Sequence, residues 1–201
     1  MKSIHLILKS GCAIAMAALL VPVAMAQSAG PLSSGNVAAR APSGAAETSD
    51  HGSTQAFINQ AAYANRAEVA EARYVEAHSK NQATKDFAKK MIDDHSTSLQ
   101  QLEQVASSGG LVMPNGIDKK DRSSMSKLKK EQGARLDMAY SSDQEKDHKE
   151  VIAKFEKAAD DPAIAAAVRD YARQAIPTLK EHLRMAQQLV ATESKGNHSA
   201  G

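Results

Sequence analysis

The chain has 201 residues, 25 of them Lys or Arg and 23 Asp or Glu, for a formal net charge of +2, with a single cysteine and no tryptophan. The surplus is only two cations, and Lys2 and Lys9 in the first 26 residues account for it, so the rest of the chain has no basic excess to neutralise phosphates and nucleic-acid binding loses its electrostatic argument. One cysteine excludes an intrachain disulfide and any site built from several thiolates.

At the N-terminus, Lys2 and Lys9 precede the apolar run "GCAIAMAALLVPVAMA", which ends in Ala24-Met25-Ala26, small residues of the kind a signal peptidase reads. Residues 1–26 are therefore expected to be a signal peptide. The chain is expected to be exported, with the periplasm as destination and the cell exterior or outer-membrane surface as alternatives. The run is shorter than the ~20 apolar residues of a spanning helix, and Pro22 interrupts it, so no integral membrane span is expected in the mature chain. Cys12 does not read as a lipid attachment site, because Lys9 stands where an apolar residue is needed and most of the apolar run follows the cysteine. Cleavage removes Cys12, Lys2 and Lys9 and leaves 23 basic against 23 acidic residues, a net charge of 0.

Residues 27–52 are mostly Ala, Ser, Gly and Pro and cannot bury enough apolar surface to offset their ordering entropy. They read as a disordered linker, and residues 194–201 read as a disordered tail, with His51 and His198 solvated. All seven aromatics, Phe57 to Tyr171, fall between these flanks, which places one domain over 53–193.

Apolar residues in that domain recur at threes and fours, never in sustained alternation, so the fold class is all-α. The first helix runs from about Ser53 to Ser79, with Ala61, Ala62, Val69, Ala72 and Val75 on its stripe. Asn81 caps a second, carrying Phe87, Met91, Leu99, Leu102 and Ala106 and stopping at Gly109-Gly110. The loop "LVMPNGID" and the basic segment "KKDRSSMSKLKKEQ", a short helix, form a long crossover. A third long helix runs from near Gly133 to Asp160. Asp161-Pro162 reads as the start of a fourth, which continues to about Glu193 and is expected to kink at Pro177. Helices of ~26 to 31 residues span ~40 to 46 Å. Two tight turns and one connection long enough to cross lengthwise predict a ferritin-like four-helix bundle.

Three of these helices carry an acid followed by histidine: Asp94-His95, Asp147-His148 and Glu181-His182. Steps of three and four put His95 on a stripe with Phe87, Met91 and Leu102, and His182 with Tyr171, Ala175, Leu179, Ala186 and Leu189, so both should face inward. The acid before each histidine lies ~100° round the helix and should sit at the rim. Counting from the turns puts Glu68 level with His95 and Asp137 level with His182. The matching patterns "FAKKMIDDHSTSLQQLEQVA" and "YARQAIPTLKEHLRMAQQLVA" pair the same positions as a pseudo-repeat. Glu68, His95, Asp137 and His182 are thus candidate metal ligands. His148 is a weaker candidate, expected near the level of Tyr171. Carboxylate with imidazole suits a divalent Zn, Mn or Fe ion. Ile92 and Leu179 occupy the positions where a di-iron centre needs bridging glutamates, which argues against redox di-iron chemistry. The alternative is a set of hydrogen-bonded polar pairs that serve only the packing.

The stretches "AEVAEARYVEAHSKNQATKDFAKKMIDDH", "GARLDMAY", "DHKEVIAKFEKAA" and "IPTLKEHLRMAQQL", with Phe87-Ala88, Met91, Asp94-His95, Asp137, Tyr140, His148, Pro177 and His182, resemble the bacterial domain of unknown function 4142 family over residues 53–192. The resemblance implies a ferritin-like fold and export, and brings no established reaction. With no nucleophile constellation, phosphate loop or aromatic platform, three roles remain. One is a metal- or small-ligand-binding exported bundle acting in stress protection. Another is a structural or interaction bundle with a polar core, its protein partner unspecified. A di-iron oxidase or peroxidase comes third.

Overall fold

A computed structural model of the chain describes residues 50–198, with side chains through 195. The expected signal peptide, Cys12 and nearly all of the linker lie outside the described residues. Five helices and no strands occur among those described: α1 His51–His78, α2 Gln82–Ser108, α3 Lys119–Leu128, α4 Ala134–Asp160 and α5 Ala166–His198. None is long and apolar enough to cross a membrane.

The ends of the helices follow from local chemistry. Asp50 caps α1 by accepting from the backbone N–H groups of Gly52 and Ser53, so the helix begins at His51, ahead of Ser53, and His51 is exposed. Asn81 caps α2 through the Ala83 N–H. α2 ends in a Schellman motif: Leu111 N–H donates to the Ala106 carbonyl at 2.8 Å, Gly110 N–H donates to Ser107 at 3.3 Å, and Gly110 takes φ 66°. Asp118 caps α3 through the Asp121 N–H.

The start of α5 differs from the sequence reading. Asp161 does not cap a helix at Pro162. Its side chain accepts from Ala163 N–H at 2.9 Å and its carbonyl from Ile164 N–H at 3.1 Å, closing a turn instead. Ile164, 5% exposed, plugs into the core, and the helix starts only at Ala166. Thr54 Oγ1 accepts from Ala165 N–H at 3.0 Å and ties the start of α5 to α1. At the other end, α5 runs on to His198, past Glu193. It passes through the exposed Pro177 as one continuous helix.

Side-chain pairs fix the relative directions. Phe57 meets Phe155 and Ser79 meets Asp137, so α1 and α4 are antiparallel. Thr84 meets Glu193 and Ser98 meets Tyr171, so α2 and α5 are antiparallel. Phe87 against Tyr140 and His95 against His148 make α2 and α4 parallel. The connection from α2 to α4 must therefore traverse the length of the bundle. It does so along α1, from Gln55, which bonds Val112 on both its N–H and carbonyl, past the Arg66–Pro114 bond, to Tyr74 at Lys129.

The apolar core falls into two clusters. One gathers Phe57, Ile58, Leu102, Phe155, Val168 and Tyr171. The other gathers Val75, Phe87, Met91, Leu136, Tyr140 and Leu189. Between them, at mid-height, lie buried Asn65, Glu68, His95, Gln144, His148 and His182. The small residues Ala61, Ala62, Ala72, Ala88, Ala172 and Ala186 are all buried and let the helices approach closely.

Candidate metal centre

His95 from α2, His148 from α4 and His182 from α5 converge in this polar layer. Each offers a ring nitrogen, and the three nitrogens lie within 4.8 Å of one another. Ring centroids are 5.1 to 5.7 Å apart, and His148 and His182 are each only 1% exposed.

The second nitrogen of every ring is already committed, which fixes the tautomers. Asn65 donates its amide to the Ala61 carbonyl at 2.8 Å, so its Oδ1, 2.9 Å from His95 Nδ1, must accept. His95 Nδ1 therefore carries the proton and Nε2 the lone pair. His148 Nδ1 lies 3.0 Å from the backbone carbonyl of Gln144, which can only accept, so again Nε2 holds the lone pair. His182 Nε2 donates to Asp94 Oδ2 at 2.8 Å, leaving the lone pair on Nδ1. Asp94 is held in turn by Lys90 at 2.9 Å. Three lone pairs are thus turned toward one another. His95 Nε2 has no hydrogen-bond partner, and His148 Nε2 faces His182 Nδ1 at 3.3 Å. Two nitrogens bound at ~2.0–2.1 Å to one tetrahedral ion would stand ~3.3 Å apart.

Burial keeps the imidazoles neutral. His95 is held well below the ordinary histidine value by desolvation, then by its two histidine neighbours. Burial, reinforced by His182, pushes His148 down to about 3. His182 is also lowered by burial, with the Asp94 carboxylate pulling the other way. Neutral imidazole is the form that ligates metal.

Space is available on both sides. A cavity of about 270 Å³ between α2 and α5 is lined by Asp94, His95, Ser98, Gln101, Thr178 and His182. A void of about 20 Å³ on the α1 side is lined by Asn65, Glu68, His95 and His148. Glu68 Oε2, the Tyr140 hydroxyl and both amide atoms of Gln144 are buried without a hydrogen-bond partner.

The sequence candidates are distributed as follows. His95 and His182 face inward, and Glu68 borders the same small void as His95. Asp137 is not brought to His182: it is buried near the α1–α2 turn, accepting from the Ser79 hydroxyl at 2.6 Å. His148, expected near Tyr171, takes the place beside His182, while Tyr171 packs on Phe155. Asp94 lies nearer the surface than the histidines, as expected of a rim residue, and from there bonds His182, a contact the sequence did not suggest. Asn65, whose side chain fixes His95, was not singled out by the sequence; Gln144 shares the stripe of His148 and fixes it through its backbone carbonyl. Asn65 could have been found from its place one turn before Glu68 on the same stripe.

No curated protein and no solved structure matches the chain. A family model described as a domain of unknown function, DUF4142, matches residues 39–189, and the chain belongs to that family.

Proposed function

We propose that this chain is an exported, ferritin-like four-helix-bundle protein whose function is to bind one transition-metal ion, of the zinc type, through His95 Nε2, His148 Nε2 and His182 Nδ1. The observation that carries the reading is the lone-pair arrangement. Each histidine has its other nitrogen oriented by an acceptor, the outer-shell pattern that orients imidazoles on a metal. Two such lone pairs 3.3 Å apart repel unless a cation lies between them. Three nitrogen donors leave a fourth position open, and the cavity between α2 and α5 gives it room for water or a small ligand. The parallel α2 and α4 with a lengthwise crossover support the ferritin-like topology. The export reading rests on Lys2, Lys9 and Ala24-Met25-Ala26.

A second reading, a purely structural polar core, draws on the same 3.3 Å contact. It requires a second proton on His182, shared with His148 and balanced by Asp94. The burial that lowers both histidines opposes that proton.

Calorimetric titration of tag-free protein with Zn²⁺ separates the two. The metal reading expects one ion per chain for wild type, none for H95A/H182A with helix content intact, and weakened binding for H148A. Equal, weak heats from all three proteins would make the core structural. Mass spectrometry of the exported protein should find an unlipidated N-terminus near Gln27. Acylated Cys12 at the N-terminus would overturn that part.

A further inference from the structure

We infer that Glu68 is the anionic partner of the ion in the histidine centre, joined to it through one water in the small void on the α1 side. The inference rests on the metal reading above and adds to it the group that balances the ion's charge.

The polar groups around the void decide what fits there. They are Asn65, Glu68, His95, Ser98 and His148, set among apolar walls such as Val151 and Leu179. Asn65 is engaged by the Ala61 carbonyl and by His95, and the Ser98 hydroxyl by Tyr171 at 2.8 Å. His148 Nε2 faces His182 Nδ1. That leaves His95 Nε2 and Glu68 Oε2, both buried without a hydrogen-bond partner. The first holds a lone pair and the second is an oxygen that accepts when ionised, so neither can satisfy the other. An ion carrying a water answers both. The nitrogen binds the ion, and the water donates to the carboxylate.

Size and distance favour the water over direct ligation. A void of about 20 Å³ has room for a single water. Among the described residues, the group of ligand atoms within 4.8 Å of one another contains the three histidines and no carboxylate. The water takes the fourth position on the ion. The cavity between α2 and α5 shares His95, Ser98, Ala175 and Leu179 with the void and is the way in from solvent.

Charge points the same way. A divalent ion on three neutral imidazoles brings two positive charges into a buried layer, which is costly unless they are paired. Asp94 bonds His182, but Lys90 holds it at 2.9 Å and offsets its charge. Glu68 is only 7% exposed and reaches the void that His95 and His148 line. Apart, the buried carboxylate and the buried ion are each unfavourable; together they stabilise one another. Glu71, one turn along α1, lines the wider cavity toward α3 and not this void, which makes it the control.

Zinc affinity by chelator competition, with the visible spectrum of the Co²⁺-loaded chain, tests the inference on tag-free protein. E68Q keeps the shape of the side chain and loses its charge. It should bind Zn²⁺ about tenfold or more weakly and shift the Co²⁺ bands. E71Q should lose less affinity and leave the bands in place. Circular dichroism checks that both variants stay helical. Wild-type affinity and spectrum in E68Q, with uptake still abolished in H95A/H182A, would overturn the role of Glu68 and leave the histidine centre standing. A loss in E71Q equal to that in E68Q would trace the effect to overall charge and overturn the role as well. No zinc uptake by wild type would overturn the centre and this inference with it.

Discussion

Three imidazoles can share a buried layer only if each proton is accounted for, and here the accounting ends with all of them facing inward on their lone pairs. Asp94 and Asn65 then act by orienting His182 and His95. Replacing an outer-shell partner of this kind lowers metal affinity ~10–100-fold. Asp94→Ala and Asn65→Leu should each do so in competition against a chromophoric chelator, and wild-type affinity in both would remove their positioning role. An unperturbed histidine loses metal to protons below ~6.5. With His148 held at about 3 and His95 well below its ordinary value, zinc affinity should stay flat to lower pH, weakening first as His182 protonates beside Asp94. At this scale the sequence revealed which histidines face inward, because the stripe that buries Met91 and Leu102 also carries His95. It did not suggest that Asp94 bonds His182. The ~100° offset of adjacent residues separates Asp94 from His95 on their own helix, but does not keep it from a histidine on the next.

At the scale of the elements, the boundary that moved was the one that set the register of the site. His148 lies 12 residues before Asp160 and His182 16 after Ala166, against 23 for Asp137. Side chains lean toward the N-terminus of their helix, so His182 leans toward the α4–α5 turn and His148 away from it, which closes their gap. Asp137 leans further out of reach. Counting from Asp161-Pro162 hid this, because an Asx-type turn and a capped helix begin with the same residues, and only the burial of Ile164 decides between them. The helices themselves, their periodicity and the glycine stop after α2 were legible, because they depend on local spacing and caps. Two substitutions test the junction where α1 meets α5. Asp50→Ala removes the cap of α1 and should lower the unfolding midpoint. Thr54→Val deprives the Ala165 N–H of its acceptor and should cost about 1–3 kcal/mol. Urea denaturation reads both, and unchanged midpoints would contradict this account of the junction.

For the molecule as a whole, the polar layer makes metal-free stability depend on pH in two opposite ways. Burial holds the three histidines below the ordinary 6.5, so below about that pH the unfolded chain takes up protons that the folded one does not, and stability falls with acidification. Burial and neighbouring acids hold Glu68 well above the ordinary 4.5 and Glu71 at about 8. Between these values the unfolded chain ionises where the folded one stays protonated, so stability falls as pH rises. Above 6.5 the histidines no longer contribute, and only the glutamate limb remains. Urea midpoints of the metal-free protein should therefore pass through a maximum near pH 6.5. E68Q/E71Q should flatten its alkaline side, and an unchanged alkaline limb in that variant would refute the assignment. The sequence located inward histidines and a nearby Glu68, but not the layer, since it is formed by residues as distant in the chain as Asn65 and His182, whose level is set by turns and side-chain lean. The central claim, that this layer is a metal centre, is tested most directly by X-ray absorption at the zinc edge on tag-free protein loaded with one equivalent of Zn²⁺ and desalted. The account predicts three imidazole nitrogens at ~2.0–2.1 Å with one further light ligand. An all-oxygen shell, or zinc that does not survive desalting, would contradict it.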